Sequence, residues 1–413
     1  MRYGLIGKTL VHSYSKEIHE ALGKYTYELF SLAPNELSPF ISARDFDGLN
    51  VTIPYKKDVL PMCDEVSDLA SSIGAVNTLY WKEHTLVGHN TDYEGFLYNA
   101  KRSNIEFNGR TVLILGSGGT SLMARKAAED NGAEKVYIVS RSGAGDLSYD
   151  ELPTVADKVN VIVNTTPVGT YPDNLKAVID LADFINCEAV IDVIYNPFKT
   201  MLLMEAEAAG LKTAGGLAML VAQATAAAGY FLGTPGAFEC ENEKIINKMI
   251  SDMRNITLIG LPGCGKSTIG RILSERTGKR FVDMDDEIIK KAGMTIPEIF
   301  NTLGETGFRN VESQVAEELG KQTGLIIATG GGAVLRSENI FALKQNSLMV
   351  HIKRPIDLLP MGGRPLSKDA EALRNMEALR LPLYEAASDI MFDNSELCTD
   401  EALAEKVCKA LEI

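Results

Sequence analysis

The chain has 413 residues, of which 45% are hydrophobic and 23% charged, and its formal net charge is −14. This length exceeds that of one typical domain, and the composition excludes a disordered chain or a small disulfide scaffold. The negative charge argues against a nucleic-acid partner and against anionic membranes. The six cysteines form no CxxC pair and the N-terminal apolar stretch is too short for a signal peptide. We therefore expect reduced thiols and a cytoplasmic location.

The first hundred residues alternate short apolar runs with helical stretches. Strands are predicted at residues 3–6, 27–32 and 48–53, and a helix is predicted at residues 16–25. This alternation predicts a parallel α/β unit over residues 1–100.

A second unit is predicted over residues 101–215. It contains the strand TVLIL from Thr111, a glycine-rich turn, a helix at 122–131, and the strands KVYIVS, VNVIVNT and AVIDVIY. This order predicts a doubly wound Rossmann unit that binds a dinucleotide. Helices are predicted at 215–233 and 236–253 and are expected to return the chain to the first unit. Residues 216–252 would then complete that unit.

The segment from residue 213 to residue 238 has no charged residue and is long enough to span a bilayer. However, Ala, Gly and Thr dominate it, and it contains Gln223 and Pro235. We therefore predict a buried core helix here.

A further α/β domain is predicted over residues 253–413. The strand NITLIG from Asn255 leads into a second glycine-rich loop, and the strands RFVDMD, GLIIATG and SLMVHIK follow. Helices are predicted between residues 286 and 322 and from Asp400. No linker rich in Pro or Ser precedes this domain, so we place its boundary tightly at residues 252/253.

The first glycine-rich loop has the sequence GSGGTS and the spacing G-x-G-x-x-S. Between a strand and a helix, its small residues let a pyrophosphate approach backbone N–H groups, although a tight turn without a ligand is the alternative. A cation with hydroxyls follows the next strand, which favours NADP over NAD. The predicted cofactor-binding residues are Gly116, Gly118, Gly119, Thr120, Ser121, Ser140 and Arg141.

The second loop, GLPGCGKST, satisfies the P-loop pattern G-x-x-x-x-G-K-[ST] between a strand and a helix. In this pattern backbone N–H groups wrap the phosphates, the lysine neutralises them, and the hydroxyl after it binds Mg²⁺. The predicted ATP-binding residues are Gly263, Gly265, Lys266, Ser267 and Thr268. The motif alone does not identify the acceptor.

Seven motifs, in order over residues 1 to about 250, resemble shikimate dehydrogenase: HSYS, NVTIPYK, GAVNT, GHNTD, NTTPVG, DVIYNP and GLAMLVAQ. The resemblance implies that Ser13 and Ser15 hold the substrate carboxylate, and that Lys56 and Asp92 form the catalytic pair. It also implies that the ring hydroxyls are bound by Thr52, Asn77, Asp92 and Gln223. An ammonium held by a carboxylate supplies the charge and the proton that ketone reduction needs.

The chain departs from the dehydrogenase pattern at two places. Lys16 stands where the family has Pro, and Ser140-Arg141-Ser142 replaces Asn-Arg-Thr with no clear second basic residue after it. The second departure leaves the strictness of NADP preference open.

Five motifs after the P-loop resemble shikimate kinase: DMD from Asp283, GFRNVE from Gly307, the glycines 330–332, RPL from Arg364, and RLPLY from Arg380. By this resemblance, Asp283 and Ser267 support Mg²⁺, and Asp285 receives or orients the reacting hydroxyl. Shikimate is held by Arg309, Arg380 and the glycine backbone, including Gly331 and Gly332, while Arg364 lies on a lid over ATP. Guanidinium groups suit a carboxylate because they bind it bidentately.

The two resemblances together predict a bifunctional enzyme of aromatic amino acid (chorismate) biosynthesis. It would reduce 3-dehydroshikimate with NADPH and phosphorylate shikimate with ATP and Mg²⁺. Two alternatives stay open: an NAD-dependent oxidation of quinate or shikimate, and a regulatory or scaffold protein that binds nucleotides without turnover. The expected partners are small-molecule substrates, and a homodimer is compatible with the sequence.

Overall fold

The structure, a computed structural model, describes residues 1–10, 13–359, 370–396 and 399–411. Within it the chain divides into two compact units, Met1–Lys248 and Met249–Ile413. Unit 1 contains two sheets and unit 2 contains one.

The first sheet of unit 1 has six strands in the order β2-β1-β3-β5-β6-β4. Its strands are β1 (Tyr3–Gly7), β2 (Tyr27–Ser31), β3 (Gly48–Val51), β4 (Glu65–Val66), β5 (Thr78–Lys82) and β6 (Thr85–His89). Its helices are α1 (Ser15–Ala21), α2 (Pro34–Ser42), α3 (Asp68–Ile73) and α4 (Asp92–Arg102).

The three predicted strands β1, β2 and β3 do pair in parallel, but the prediction of a parallel first unit was wrong for the sheet as a whole. Strand β5 runs antiparallel to both β3 and β6, so the sheet is mixed. Only Glu83 and His84 join β5 to β6, and Glu83 has a φ of +58°. A two-residue connection joins antiparallel strands, whereas parallel strands need a long crossover.

The second sheet of unit 1 is entirely parallel, in the order β11-β10-β9-β7-β8. Its elements are β7 (Thr111–Leu115), α5 (Gly119–Asp130), β8 (Lys135–Val139), β9 (Val161–Asn164), β10 (Ala189–Asp192), α6 (Met201–Ala208) and β11 (Lys212–Ala214). Strands β8 and β9 pair with opposite sides of β7. The strand order therefore reverses at β7, and this is the topological switch point where doubly wound folds bind their ligands. The predicted Rossmann unit is confirmed.

Helix α7 (Gly216–Phe231) is the buried core helix predicted for the uncharged segment. It packs along α4 so closely that a Cβ on Gly95 would lie 2.6 Å from the carbonyl oxygen of Met219. Helix α8 (Asn242–Met253) begins six residues later than predicted, because a turn and a short 3₁₀ helix precede it. In the described part of the chain, no helix has the length and apolarity needed to cross a membrane.

Unit 2 is built on one parallel sheet in the order β13-β14-β12-β15-β16. Its strands are β12 (Asn255–Ile259), β13 (Arg280–Asp283), β14 (Leu325–Ala328), β15 (Ser347–Lys353) and β16 (Ile390–Asp393). Its helices are α9 (Lys266–Thr277), α10 (Met284–Ala292), α11 (Ile296–Gly320), α12 (Ser337–Lys344), α13 (Ala370–Ala387) and α14 (Asp400–Leu411). Helix α11 bends at Gly304, whose φ of +69° is not helical. Strand β12 lies at the centre, so the loop that follows it meets the switch point of this sheet.

Candidate active sites

Unit 1 contains a cavity of about 350 Å³ lined by residues that follow β1, β3 and β10 and by helices α4 and α7. The residues predicted from sequence to bind substrate or react all line this cavity: Ser13, Ser15, Thr52, Lys56, Asn77, Asp92 and Gln223. Thr120 of the glycine-rich loop also lines it, so the cavity opens toward the predicted dinucleotide site.

A lysine and an aspartate form an ion pair in this cavity. Nζ of Lys56 lies 2.5 Å from Oδ2 of Asp92, and the two side chains are only 15% and 10% exposed. Asp92 is the first residue of α4, where the helix N-terminus favours a negative charge. Its other oxygen, Oδ1, accepts a hydrogen bond of 2.9 Å from Nδ2 of Asn77. Both carboxylate oxygens are therefore held, and the ammonium group is fixed beside the open space.

Two serine hydroxyls lie side by side at the start of α1. Oγ of Ser13 donates to Oγ of Ser15 at 3.2 Å, and the backbone N–H of Ser15 donates to Oγ of Ser13 at 3.3 Å. This spacing suits two donors that address one carboxylate.

Sequence reasoning did not single out Asn50 and Tyr195, although both line the cavity. Both fall inside quoted motifs: Asn50 is the first residue of NVTIPYK and lies within β3, and Tyr195 lies in DVIYNP just after β10. The ring of Tyr195 packs edge-on against Tyr14 at a centroid distance of 5.6 Å. The signal available was their place within the motifs that carry the family resemblance.

The glycine-rich loop after β7 is shaped by close approach on one side and open space on the other. Gly116 has a φ of +106°, and a Cβ there would lie 2.8 Å from Oγ1 of Thr165. A Cβ on Gly118 would meet no heavy atom within 4 Å. Ser121 is fully buried, with its hydroxyl donating to the carbonyl of Gly118 at 2.6 Å. Ser121 therefore supports the loop from inside, while the Gly118 side stays open.

A chain of hydroxyls links this loop to the end of β8. Oγ of Ser140 lies 2.9 Å from Oγ of Ser117 and 2.8 Å from Oγ of Ser142. Arg141 between them is exposed. The neighbouring Arg125 is instead paired with Asp146, which also accepts from the backbone N–H of Ile138. Arg141 is thus the cation placed at the end of β8.

Unit 2 contains a cavity of about 450 Å³ at the switch point of its sheet. It is lined by the predicted residues Gly263, Gly265, Lys266, Ser267, Thr268, Asp283, Asp285, Arg309, Gly331, Gly332 and Arg380. Arg364 lies outside the residues that the structure describes.

The P-loop side of this cavity carries a lysine, a serine hydroxyl and a carboxylate. Nζ of Lys266 donates to the carbonyls of Gly260 and Leu261 at 2.8 and 2.9 Å. Oγ of Ser267 donates to Oδ2 of Asp283 at 2.8 Å. Within the described ranges, no group of three or more His, Cys, Asp or Glu side chains could hold a metal ion. A hydroxyl beside a single carboxylate fits Mg²⁺, which usually binds through one or two protein oxygens together with substrate phosphates.

The opposite side of the cavity carries a buried arginine and glutamate. Nη1 of Arg309 donates to Oε2 of Glu312 at 2.6 Å. Burial raises the pKa of Glu312, whereas the adjacent Arg309 lowers it. Glu312 was quoted within a motif but was not predicted as a site residue, because its role depends on a partner three residues away on the same buried helix face.

The three consecutive glycines after β14 bring backbone against these side chains. A Cβ on Gly332 would lie 2.4 Å from Nη2 of Arg309, and one on Gly331 would lie 2.7 Å from Cδ of Pro262. The carbonyl of Gly331 accepts hydrogen bonds from Arg380 at 3.0 Å and from the Tyr384 hydroxyl at 2.5 Å. Glycine is therefore required here by space and not by a left-handed backbone.

We expect Gly332→Ala to weaken shikimate binding to unit 2 because the new methyl group displaces the Arg309 guanidinium. The KM for shikimate should rise about tenfold or more, as expected for a lost charge-assisted hydrogen bond, while the KM for ATP changes little. Steady-state kinase assays measure both constants. In an Arg309→Ala background the same substitution should add almost nothing; a full additional loss there would show that Gly332 acts independently of Arg309.

The fold and the two sites define a two-part nucleotide-dependent enzyme, an oxidoreductase joined to a phosphotransferase. Comparison with known proteins agrees. The family model for the shikimate dehydrogenase substrate binding domain matches residues 5–79, and the model for shikimate kinase matches residues 262–412. The NADP(+) shikimate dehydrogenase of Clostridium beijerinckii is 36% identical over 240 residues, covering 54% of this chain and 88% of that protein.

Solved structures point the same way. A chorismate mutase/shikimate 5-dehydrogenase fusion protein from Clostridium acetobutylicum is 34% identical with a TM-score of 0.56, covering 60% of this chain and 96% of that one. Shikimate 5-dehydrogenase from Thermus thermophilus, in complex with NADP(H) and shikimate, is 30% identical with a TM-score of 0.54, covering 60% and 99%. The chain belongs to the shikimate dehydrogenase family and carries a shikimate kinase domain, which makes it a bifunctional shikimate-pathway enzyme.

Proposed function

We propose that unit 1 reduces 3-dehydroshikimate to shikimate with NADPH and that unit 2 phosphorylates the 3-hydroxyl of shikimate with ATP and Mg²⁺. The observation that carries this proposal is the Lys56–Asp92 pair at 2.5 Å in a polar cavity that also includes Thr120 of the dinucleotide loop. We further propose that residues 1–100 with 216–252, residues 101–215 and residues 253–413 serve as the substrate, NADP and kinase parts.

In unit 1, NADPH supplies the hydride. The Lys56 ammonium is positioned to give a proton to the oxygen on which negative charge develops, and Asp92 holds this ammonium in place. Ser13 and Ser15 offer two donors to the substrate carboxylate. The ring hydroxyls are assigned to Thr52, Asn77, Asp92 and Gln223.

In unit 2, ATP supplies the phosphoryl group and Mg²⁺ neutralises phosphate charge. Lys266 and the P-loop backbone bind the phosphates, and Ser267 and Asp283 hold the metal ion. Asp285 orients the reacting hydroxyl. The carboxylate and ring of shikimate are assigned to Arg309, Arg380 and the backbone of Gly331 and Gly332, whereas the lid role of Arg364 stays a prediction.

Arg141→Ala should lower kcat/KM for NADPH by about tenfold or more, because a 2′-phosphate then loses a charge-assisted contact. The value for NADH should change little, since a bare ribose makes no such contact. Arg125→Ala is the matched control, because Arg125 is already paired with Asp146. Spectrophotometric assays with each cofactor measure the ratio of kcat/KM for NADPH to that for NADH. An equal loss with both cofactors would exclude Arg141 as the residue that recognises the 2′-phosphate.

The experiment that tests the whole proposal follows NADPH consumption with 3-dehydroshikimate, with and without ATP, together with the phosphorylated product. Reduction without ATP and phosphorylation only with ATP are expected. Quinate and NAD are assayed in parallel, since a preference for them would favour the alternative oxidation. Nucleotide binding without any turnover would point to a regulatory protein.

Composition supports the remaining expectations. The net charge of −14 supports an enzyme that acts on small molecules and binds neither nucleic acid nor membranes. Cys63, Cys187, Cys240, Cys264 and Cys408 are free thiols, which supports a reducing cytoplasmic location. A homodimer is compatible with these observations.

A further inference from the structure

Asn77 connects the Lys56–Asp92 pair to a buried group of hydroxyls behind the cavity. Its Nδ2 donates to Asp92, while its Oδ1 accepts from the backbone N–H of Thr91 at 2.7 Å and from Oγ1 of Thr78 at 2.9 Å. Asn77 is 2% exposed, and Thr78 and Thr91 are 0% exposed. Water therefore does not compete for these hydrogen bonds, and each donor must meet an acceptor within the protein.

The orientation of the Asn77 side-chain amide decides whether Asp92 faces the NH₂ group or the oxygen of that amide. If the amide were reversed, its NH₂ group would face the N–H of Thr91, and its oxygen would face the carboxylate of Asp92. Both encounters are unfavourable, because donor would meet donor and acceptor would meet acceptor. The donors at residues 78 and 91 therefore keep the N–H of Asn77 on Asp92.

The hydroxyl proton of Thr78 is directed by Asn50, which lines the cavity, and through Asn50 by Tyr27, which does not. The Tyr27 hydroxyl donates to Oδ1 of Asn50 at 2.7 Å, so the NH₂ group of Asn50 faces the other way and donates to Oγ1 of Thr78 at 3.2 Å. Burial raises the pKa of Tyr27 well above its usual value, which keeps its hydroxyl a donor at any ordinary pH.

The two threonine hydroxyls differ in what they supply to Asn77. They lie 2.9 Å apart, and the Thr91 hydroxyl lies 3.2 Å from Oδ1 of Asn77, farther than the Thr78 hydroxyl. The shorter contact assigns the Thr78 proton to Asn77 and leaves the Thr91 proton for Oγ1 of Thr78. Thr91 already serves Asn77 through its backbone N–H.

We propose that Thr78 is a positioning residue of the reduction: its hydroxyl orients the Asn77 amide, which holds Asp92 and through it the Lys56 ammonium. Thr78 does not line the cavity, but it contacts two residues that do, Asn77 and Asn50. Of these two, Asn77 is the one that donates to Asp92, so Thr78 reaches the reacting pair through Asn77. The inference rests on the proposed role of Lys56 and Asp92.

The test replaces each hydroxyl by a methyl group of similar shape. Thr78→Val should lower kcat/KM for 3-dehydroshikimate reduction about tenfold or more, because a buried amide then lacks one of its donors. Thr78→Ser, which keeps the hydroxyl, should stay within about threefold of the parent chain. Thr91→Val is the matched control, equally buried, and should also cost no more than about threefold, since Asn77 then keeps both the Thr78 hydroxyl and the Thr91 backbone N–H as donors.

Coupling to Asn77 distinguishes orientation from general destabilisation. In an Asn77→Ala background, Thr78→Val should add almost no further loss. Kinase activity of the same samples serves as the internal measure of active protein. Equal losses in the two valine variants, or additive losses with Asn77→Ala, would overturn the proposal.

Two outcomes are handled separately. If the parent chain does not reduce 3-dehydroshikimate, the proposed function fails and not the positioning role alone. If circular dichroism finds Thr78→Val unfolded, the test passes to Tyr27→Phe, which frees the Asn50 amide. That variant should lose about threefold in kcat/KM, and the loss should vanish in the Asn77→Ala background; persistence of the loss there would contradict the proposal.

Discussion

Lys266→Ala should abolish shikimate phosphorylation, with a loss of at least about a hundredfold to a thousandfold, while 3-dehydroshikimate reduction stays at the parent level. The reason is that phosphoryl transfer depends on fixed positive charge at the phosphates, and Lys266 is the P-loop cation that lines the cavity of unit 2. Assays of both reactions on one preparation measure the two activities.

The control for this variant is Lys290→Ala, since Lys290 lies on α10 with its side chain 70% exposed and paired with Glu287. It should leave both reactions unchanged. Lys266 also donates to two loop carbonyls, so ATP binding and the melting temperature are measured alongside. A parallel fall in dehydrogenase activity would mean that Lys266 supports the fold of the chain and not the phosphates specifically.

Lys56→Ala should lower kcat for 3-dehydroshikimate reduction by about a hundredfold or more, because a positioned proton donor contributes roughly 10²–10⁴ in rate. The loss should be in kcat more than in KM, since Lys56 stabilises charge that develops during the reaction. Shikimate phosphorylation should persist. The decrease in NADPH absorbance measures the reduction.

Lys57→Ala is the matched control, because Lys57 is the next residue and is exposed outside the cavity. It should retain the parent rate. Near-normal reduction by Lys56→Ala would remove Lys56 from the catalytic role and leave the Lys56–Asp92 pair with a structural one.

The elements predicted best from sequence were the buried parallel strands that lead into glycine-rich loops. Strand β7 is a nearly continuous apolar run and β12 is buried along its whole length, because parallel strands are covered on both faces, and each is followed by a glycine-rich loop. The β5–β6 hairpin was missed because its turn, Glu83-His84, lacks the Asn-Gly or Asp-Gly signal of two-residue hairpins. The antiparallel strand was therefore unexpected.

The residues of the candidate sites also fall into two groups, those that the sequence predicted and those that only the folded structure revealed. The resemblance to shikimate dehydrogenase implied Lys56 and Asp92, and the P-loop spacing predicted Lys266. Asn50, Glu312 and Thr78 could not be assigned roles, because their importance depends on partners that the folded chain brings near. For Thr78 this partner set includes Tyr27 and Asn50, which belong to other strands and carry no sequence signal of contact.

The packing of α7 has a consequence for how the chain is made on the ribosome. Ala227 and Phe231 of this helix complete a core cluster with Tyr3, Leu5 and Tyr27. At about 5–20 residues per second, roughly ten to fifty seconds separate the emergence of β1 from that of α7. The nascent first sheet therefore keeps an uncovered apolar face while the whole Rossmann segment is translated. The dinucleotide-binding part has all its elements once β11 is made, whereas the substrate-binding part, although its strands are earlier in the chain, still awaits α7 and matures after it.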